Sequence, residues 1–148
     1  NARKKNHAQF NNSVLLFQQD ILHSNLPADY YDYVFCAFGL KTFDKGQLNI
    51  IAKEIKRILK KGGEFSFIEL SVPENKVLRG LFGFYLGKIV PVIGRLLLGN
   101  PSEYRMLWKY TRQFKNAKEV TAIFNATSLQ ATYNTYFYGC ATGFSGKK

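Results

Sequence analysis

Three short strings in this sequence carry residue types that do chemistry when they stand at a strand end. They are Gln19-Asp20-Ile21, Ala37-Phe38-Gly39-Leu40 and Glu69-Leu70-Ser71. In open sheets flanked by helices, ligands bind beyond the carboxyl ends of the strands. An Asp there accepts hydrogen bonds from an amino group. A Gly lets a ligand approach the backbone closely. Both have plainer uses that spacing alone favours: Asp20 as a turn or helix cap, Gly39 as an ordinary turn residue. No metal site is expected. His7 and His23 stand alone, and Cys36 and Cys140 lie in apolar runs with no ligand partner at useful spacing. Two cysteines do not make a disulfide framework, so both read as reduced core residues of a cytosolic protein.

The elements that position these strings can be read from hydrophobic pattern. Val14–Gln18 and Asp32–Phe38 are short apolar runs, and Glu64–Leu70 is a third. None alternates cleanly, as expected of strands covered on both faces in a parallel sheet. Between the second and third lies the clearest helix, Gly46–Lys60, with Leu48, Ile51, Ile55, Ile58 and Leu59 on one stripe. Lys53, Lys56, Arg57 and Lys60 take the other side, and Gly62-Gly63 would end the helix in a left-handed cap. Strand, helix, strand makes a βαβ unit. Pro101–Phe114 and Ala117–Asn125 read as further helices. Leu129–Tyr138 and Gly139–Phe144 read as an antiparallel strand pair at the sheet edge.

Val77–Leu98 is strongly apolar, interrupted by Gly80, Gly83, Gly87, Gly94 and Pro91. A membrane span needs roughly 20 apolar residues with few or no charges. Arg79, Lys88 and Arg95 break this run, so two helices bent at Pro91 are expected. They would cover a hydrophobic pocket, lie on a membrane surface, or serve as ordinary core helices.

The 148 residues make one domain's worth of chain, with 46% hydrophobic and 16% aromatic residues. That excludes intrinsic disorder. Lys and Arg outnumber Asp and Glu by 21 to 10, for a formal charge of +11. Such a bias points to nucleic acid, an anionic membrane or an anionic ligand, and not to any fold. The chain begins at Asn1, and its only Met is Met106. It is therefore expected to be a C-terminal piece of a longer protein, with part of the compensating charge elsewhere. No apolar run follows the opening charges, so no signal peptide is expected.

Ala37-Phe38-Gly39-Leu40, the helix ending Arg57-Ile58-Leu59-Lys60-Lys61-Gly62-Gly63, and Glu69-Leu70-Ser71-Val72-Pro73 resemble class I S-adenosylmethionine-dependent methyltransferases. With Phe84-Tyr85, Val90-Pro91, Ile93-Gly94 and Ser102-Glu103-Tyr104-Arg105, the resemblance narrows to the ubiquinone/menaquinone-biosynthesis C-methyltransferases. It runs from Val14 to Arg105 and more loosely to the end. It implies an α/β fold: a partial Rossmann-like sheet, strands three to seven of the order three-two-one-four-five-seven-six, with an antiparallel final pair. Residues 1–148 would then be the C-terminal part of one methyltransferase domain, with a substrate-side helical insertion at 75–114.

The implied cofactor is S-adenosylmethionine. Asp20 matches the adenine-amino contact and Ile21 its apolar neighbour, while Ala37, Phe38 and Gly39 match the wall beside the methionine part. Tyr85, Tyr104 and Arg105 fall on the substrate side. The implied reaction is C-methylation of a quinol or phenol ring, which needs a base. Glu69, His23 and Tyr104 are candidates that residue type does not rank. The sequence contains no GxGxG loop. The chain on its own is therefore expected to bind cofactor weakly or not at all, and to be inactive. Lys41-Thr42 stands where the family has Arg-Asn, Lys109-Tyr110 where it has Glu-Ser, and Thr127-Ser128 where it has Gly-Phe. Ser24-Asn25 lengthens the loop after Asp20. These departures fall on the substrate side, so a non-prenylated small-molecule substrate stays open. A basic nucleic-acid module is the non-enzymatic alternative, disfavoured because the charges line one solvated helix face. Expected partners are a small lipophilic aromatic substrate, a peripheral membrane contact and a second copy of the chain. The expected location is the cytoplasm, at the inner membrane.

Overall fold

In the computed structural model, residues 15–98 and 106–148 are described. The first strand, β1 (Tyr31–Ala37), leads through a tight turn at Leu40–Thr42 into helix α1 (Lys45–Ile58). Asp44 starts that helix with both halves of a capping box. Its carboxylate accepts from the Gln47 N–H, and the Gln47 side chain accepts from the Asp44 N–H. Leu48, Ile51, Ile55 and Ile58 form the expected buried stripe. On the opposite side Arg57 pairs with Glu54, and just past the helix Lys60 pairs with Asp32, which offsets part of the basic bias.

The helix ends at Ile58, two residues before the expected Lys60, because Leu59 already enters strand β2 (Leu59–Leu70). Gly62 does adopt a positive φ of 76°, but inside β2 and not as a helix cap. The Gly62 N–H donates to the Lys148 carbonyl, and the Lys148 N–H to the Gly63 carbonyl. The glycine pair thus makes a bulge that accommodates the carboxyl terminus. The parallel register shows it: Tyr31 pairs with Leu59, yet Tyr33 pairs with Glu64.

After β2 comes a long helical segment: α2 (Lys76–Phe84), a π-helical turn (Tyr85–Ile89) and α3 (Val90–Leu98). The interruption falls just ahead of Pro91 and not at it. Proline cannot donate to the carbonyl four residues back and its ring crowds that group, so the preceding turn widens. Helices α4 (Leu107–Phe114) and α5 (Lys118–Ala126) follow. The start expected for α4 at Pro101 lies outside the described residues. Strands β3 (Gln130–Tyr136) and β4 (Ala141–Lys147) close the chain as the expected antiparallel pair.

The sheet order is β1-β2-β4-β3, with β1 parallel to β2 and β4 antiparallel to β2 and β3. This is four-five-seven-six in the expected order. α1 and α5 pack one face over Phe65, Phe67 and Phe144, with Phe124 supplied by α5. The Phe124 and Phe144 ring centroids lie 4.6 Å apart, edge to face. Such a pair adds about 0.5–1.5 kcal/mol beyond its area burial.

Two expectations fail. Leu15–Gln18, the described part of the expected first strand, forms no strand, and Leu15 and Phe17 are exposed. A strand needs a ladder partner to satisfy its backbone and offset its ordering entropy, and this segment has none among the described residues. Nor do the described residues cover the sheet on both faces. β1 turns Tyr33 and Phe35 to solvent, Phe35 at 73% exposure, because both packed helices share the other face.

Candidate functional site

The carboxyl ends of β1 and β2 and the start of β4 meet at one edge of the sheet: Ala37 pairs with Ile68, and Leu70 with Ala141. The chain leaves β1 through Phe38, which takes a left-handed φ of 61° while its N–H donates to the Ile68 carbonyl. A bulky residue in that region stores strain, a pattern that clusters at functional sites. Phe38 is 51% exposed at the sheet edge. Gly39, the expected flexible residue, sits at φ −104° and does not need its freedom. A Cβ there would come 3.1 Å from the Cys36 sulfur, a tight contact that the thiol would have to yield to by a few tenths of an ångström.

Glu69 is fully buried at this edge, and Lys41 reaches it from the turn after β1. The Lys41 Nζ donates to Glu69 Oε1 at 2.9 Å and to the Phe38 carbonyl at 2.6 Å. The Lys41 N–H donates to Oε2 at 3.1 Å and the Leu70 N–H to Oε1 at 2.8 Å. The carboxylate is therefore held by three donors and shielded from water. This geometry makes Glu69 a strut that fixes the Phe38–Lys41 turn, not a base open to a substrate proton. Cys36 lies beside the pair, and burial pushes its thiol pKa up, as it does that of Cys140. Both cysteines are free and half-buried.

Asp20 caps the short turn Ile21–His23. Its Oδ1 accepts from the Leu22 N–H at 3.0 Å, and its Oδ2 lies 3.2 Å from His23 Nδ1. The Leu22 bond first, then His23, holds the Asp20 carboxyl below the usual carboxylate range. These partners are local: the turn packs on α1, tied by Ser24 to Glu54. Ile21 and Leu22 pack against the core. His23 is exposed, far more so than a shielded base would be. Tyr85 opens the π turn, half exposed. Tyr104 and Arg105 lie outside the described residues, as does His7. No group of three metal-binding side chains occurs among the described residues.

Lys41 is the site residue that residue types alone did not single out. Its signal was positional, a cation one residue beyond Ala37–Leu40. For an adenosyl sulfonium cofactor, the exposed Asp20 carboxylate and the Phe38 face are the right chemistry for an amine and an apolar wall. The ribose diol would need an open acidic acceptor, but Glu69 is buried in its ion pair and Asp44 is spent on its cap.

A half-sheet of this order, with its strained turn at the strand ends, defines a class I methyltransferase fold. A solved S-adenosylmethionine-dependent methyltransferase from Aquifex aeolicus shares it, with a TM-score of 0.61 at 15% identity over 98% of this chain and 60% of that one. The sequence matches the ubiE/COQ5 methyltransferase family over residues 1–148, and the chain belongs to that family. The demethylmenaquinone methyltransferase of Lysinibacillus sphaericus is 32% identical over 137 residues, 88% of this chain and 58% of that protein. That of Lactiplantibacillus plantarum is 28% identical over 148 residues, 99% of this chain and 61% of that protein. The chain thus spans about 58–61% of the length of these curated relatives.

Proposed function

We propose that the protein takes part in methylating a ring carbon of a lipophilic quinol in ubiquinone or menaquinone biosynthesis, with S-adenosylmethionine as donor. The observation that carries this reading is the Phe38–Lys41 turn, pinned by buried Glu69 at the sheet edge of a ubiE/COQ5 family member. S-adenosylmethionine, when bound, supplies an electrophilic methyl group. The chain's own residues would hold one side of it, with Asp20 accepting from the adenine amine, Ile21 beside it, and Ala37, Phe38 and Gly39 walling the methionine part. Holding donor and ring carbon near contact is what the rigid turn contributes. Tyr85, Tyr104 and Arg105 are assigned to the quinol side, within a substrate-side insertion at 75–114. Of the three candidate bases for the phenol proton, Glu69 is closed to it and His23 stands in water, so Tyr104 is the one the reading retains. The reading places the protein in the cytoplasm, at the inner membrane.

The apolar stretch Val77–Leu98 favours a long-tailed substrate over a short phenol. The test is methyl transfer by the intact protein to a panel of demethylated quinols with and without prenyl tails, beside short phenols. Expected is labelled methyl on carbon, with the tailed quinols preferred. Equal turnover of short phenols would move the reading to a non-prenylated substrate.

A further inference from the structure

The segment Lys76–Gly94 is apolar on two sides. Its inner side is docked on the protein: Leu86 is buried, and Gly83 and Gly87 lie against Trp108. Its outer side carries Val77, Leu81, Phe84, Tyr85, Ile89, Val92 and Ile93, all exposed. Their steps of four, three and one, repeated, make a single stripe. An ordinary surface helix turns its polar side outward, and this one turns out a second apolar side. Lys76–Gly94 is long and apolar enough to cross a membrane, and little of it is buried. The Trp108 contact and Lys88 argue against crossing.

The hairpin between β3 and β4 adds an independent observation. Phe137 and Tyr138 stand at its tip, 77% and 93% exposed, at φ 48° and 56°. Two consecutive aromatic residues are thus held in water in a strained conformation. The tip is anchored beside the start of α2: Ser71 Oγ donates to the Gly139 carbonyl at 2.8 Å, and Gly139 packs on Pro73. Charge supplies the third observation. A groove of about 640 Å³ beside the helix has Gly83, Phe84, Gly87 and Trp108 as its apolar wall and Lys88, Lys109 and Arg112 among its lining.

An outward apolar stripe, an aromatic tip and cations beside the helix are the combination that an anionic bilayer surface fits. We propose that this surface seats the protein on anionic lipid, with α2 and α3 lying in the interface plane and Phe137–Tyr138 entering beside them. Its purpose rests on the quinol reading, which it deepens by naming the surface that meets the lipid where such a substrate resides.

The test is co-sedimentation of the intact protein with phosphatidylcholine vesicles, with and without phosphatidylglycerol. Binding is expected to the anionic vesicles and to weaken about tenfold in high salt. V77D/L81D and F137S/Y138S, all at exposed positions, are each expected to lose about tenfold in vesicle binding with circular dichroism unchanged. Sedimentation of the wild type and its salt dependence stand as readouts even if a variant fails to fold. No sedimentation of the wild type, or variants that bind as well, would overturn the proposal. So would a wild-type dimer that L81D converts to a monomer, which assigns the stripe to a second copy. Quinol turnover in detergent without vesicle binding sinks the docking surface alone. Vesicle binding without any methyl transfer sinks the functional reading alone.

Discussion

At the scale of single residues, the pair Lys41–Glu69 decides most. Both side chains are out of water, Lys41 at 8% and Glu69 at 0% exposure. Removing one charge leaves the other buried without its partner, which costs more than the intact pair contributes. Lys41→Met is expected to lower stability by about 3–5 kcal/mol. Lys41→Arg keeps the charge and should cost much less. Urea denaturation midpoints of the two variants check this, and equal midpoints would refute the strut. The place of this site was legible, because Ala37–Leu40 stood out as a strand end. The ion pair was not, because its partners are 28 residues apart and only the parallel register of β1 on β2 brings them together. Nor could the sequence show that Phe38, not Gly39, takes the left-handed conformation, since residue preference argues the reverse.

At the scale of elements, the α2–α4 contact is specified by the absence of a side chain. A Cβ on Gly83 would sit 2.7 Å from the Trp108 ring, whereas one on Gly80, a turn away, would meet nothing within 4 Å. Gly83→Ala should therefore push the helices apart, at a cost of about 1–3 kcal/mol. Gly80→Ala should gain about 0.5–1 kcal/mol from reduced backbone entropy loss in a helix. Thermal midpoints of the two variants should move in opposite directions, and movement in the same direction would refute the contact. Hydrophobic period sufficed for α1, because Leu48, Ile51, Ile55 and Ile58 face one dense core. It failed for Leu15–Gln18, since an apolar run has no memory of whether a neighbouring strand exists to pair with it. It also misplaced Gly62-Gly63, because a positive-φ glycine serves a strand bulge as well as a helix cap.

At the scale of the whole molecule, the four-strand order was foreseen from the family resemblance, but the sheet's one-sided covering was not. Tyr33 and Phe35 stack on the open face with ring centroids 6.1 Å apart, beside a groove of about 480 Å³ that Ser66, Thr132 and Ser145 help to line. β1 is also an edge strand, so its outer backbone groups have no ladder partner among the described residues. A bare apolar face next to an unpaired edge is a template for association. The +11 charge opposes it through repulsion, which salt screens. The 148-residue chain is therefore expected to self-associate, more so as salt rises. That sign is opposite to the salt dependence expected for its binding to anionic vesicles. Light scattering on a size-exclusion column would read the mass as a function of salt and concentration. Tyr33→Lys with Phe35→Lys should hold the chain at single-chain mass, because both side chains are exposed and no core contact is lost. If the double variant associates as the wild type does, the open face is not the cause, and the outer stripe of α2 and α3 becomes the surface to alter next.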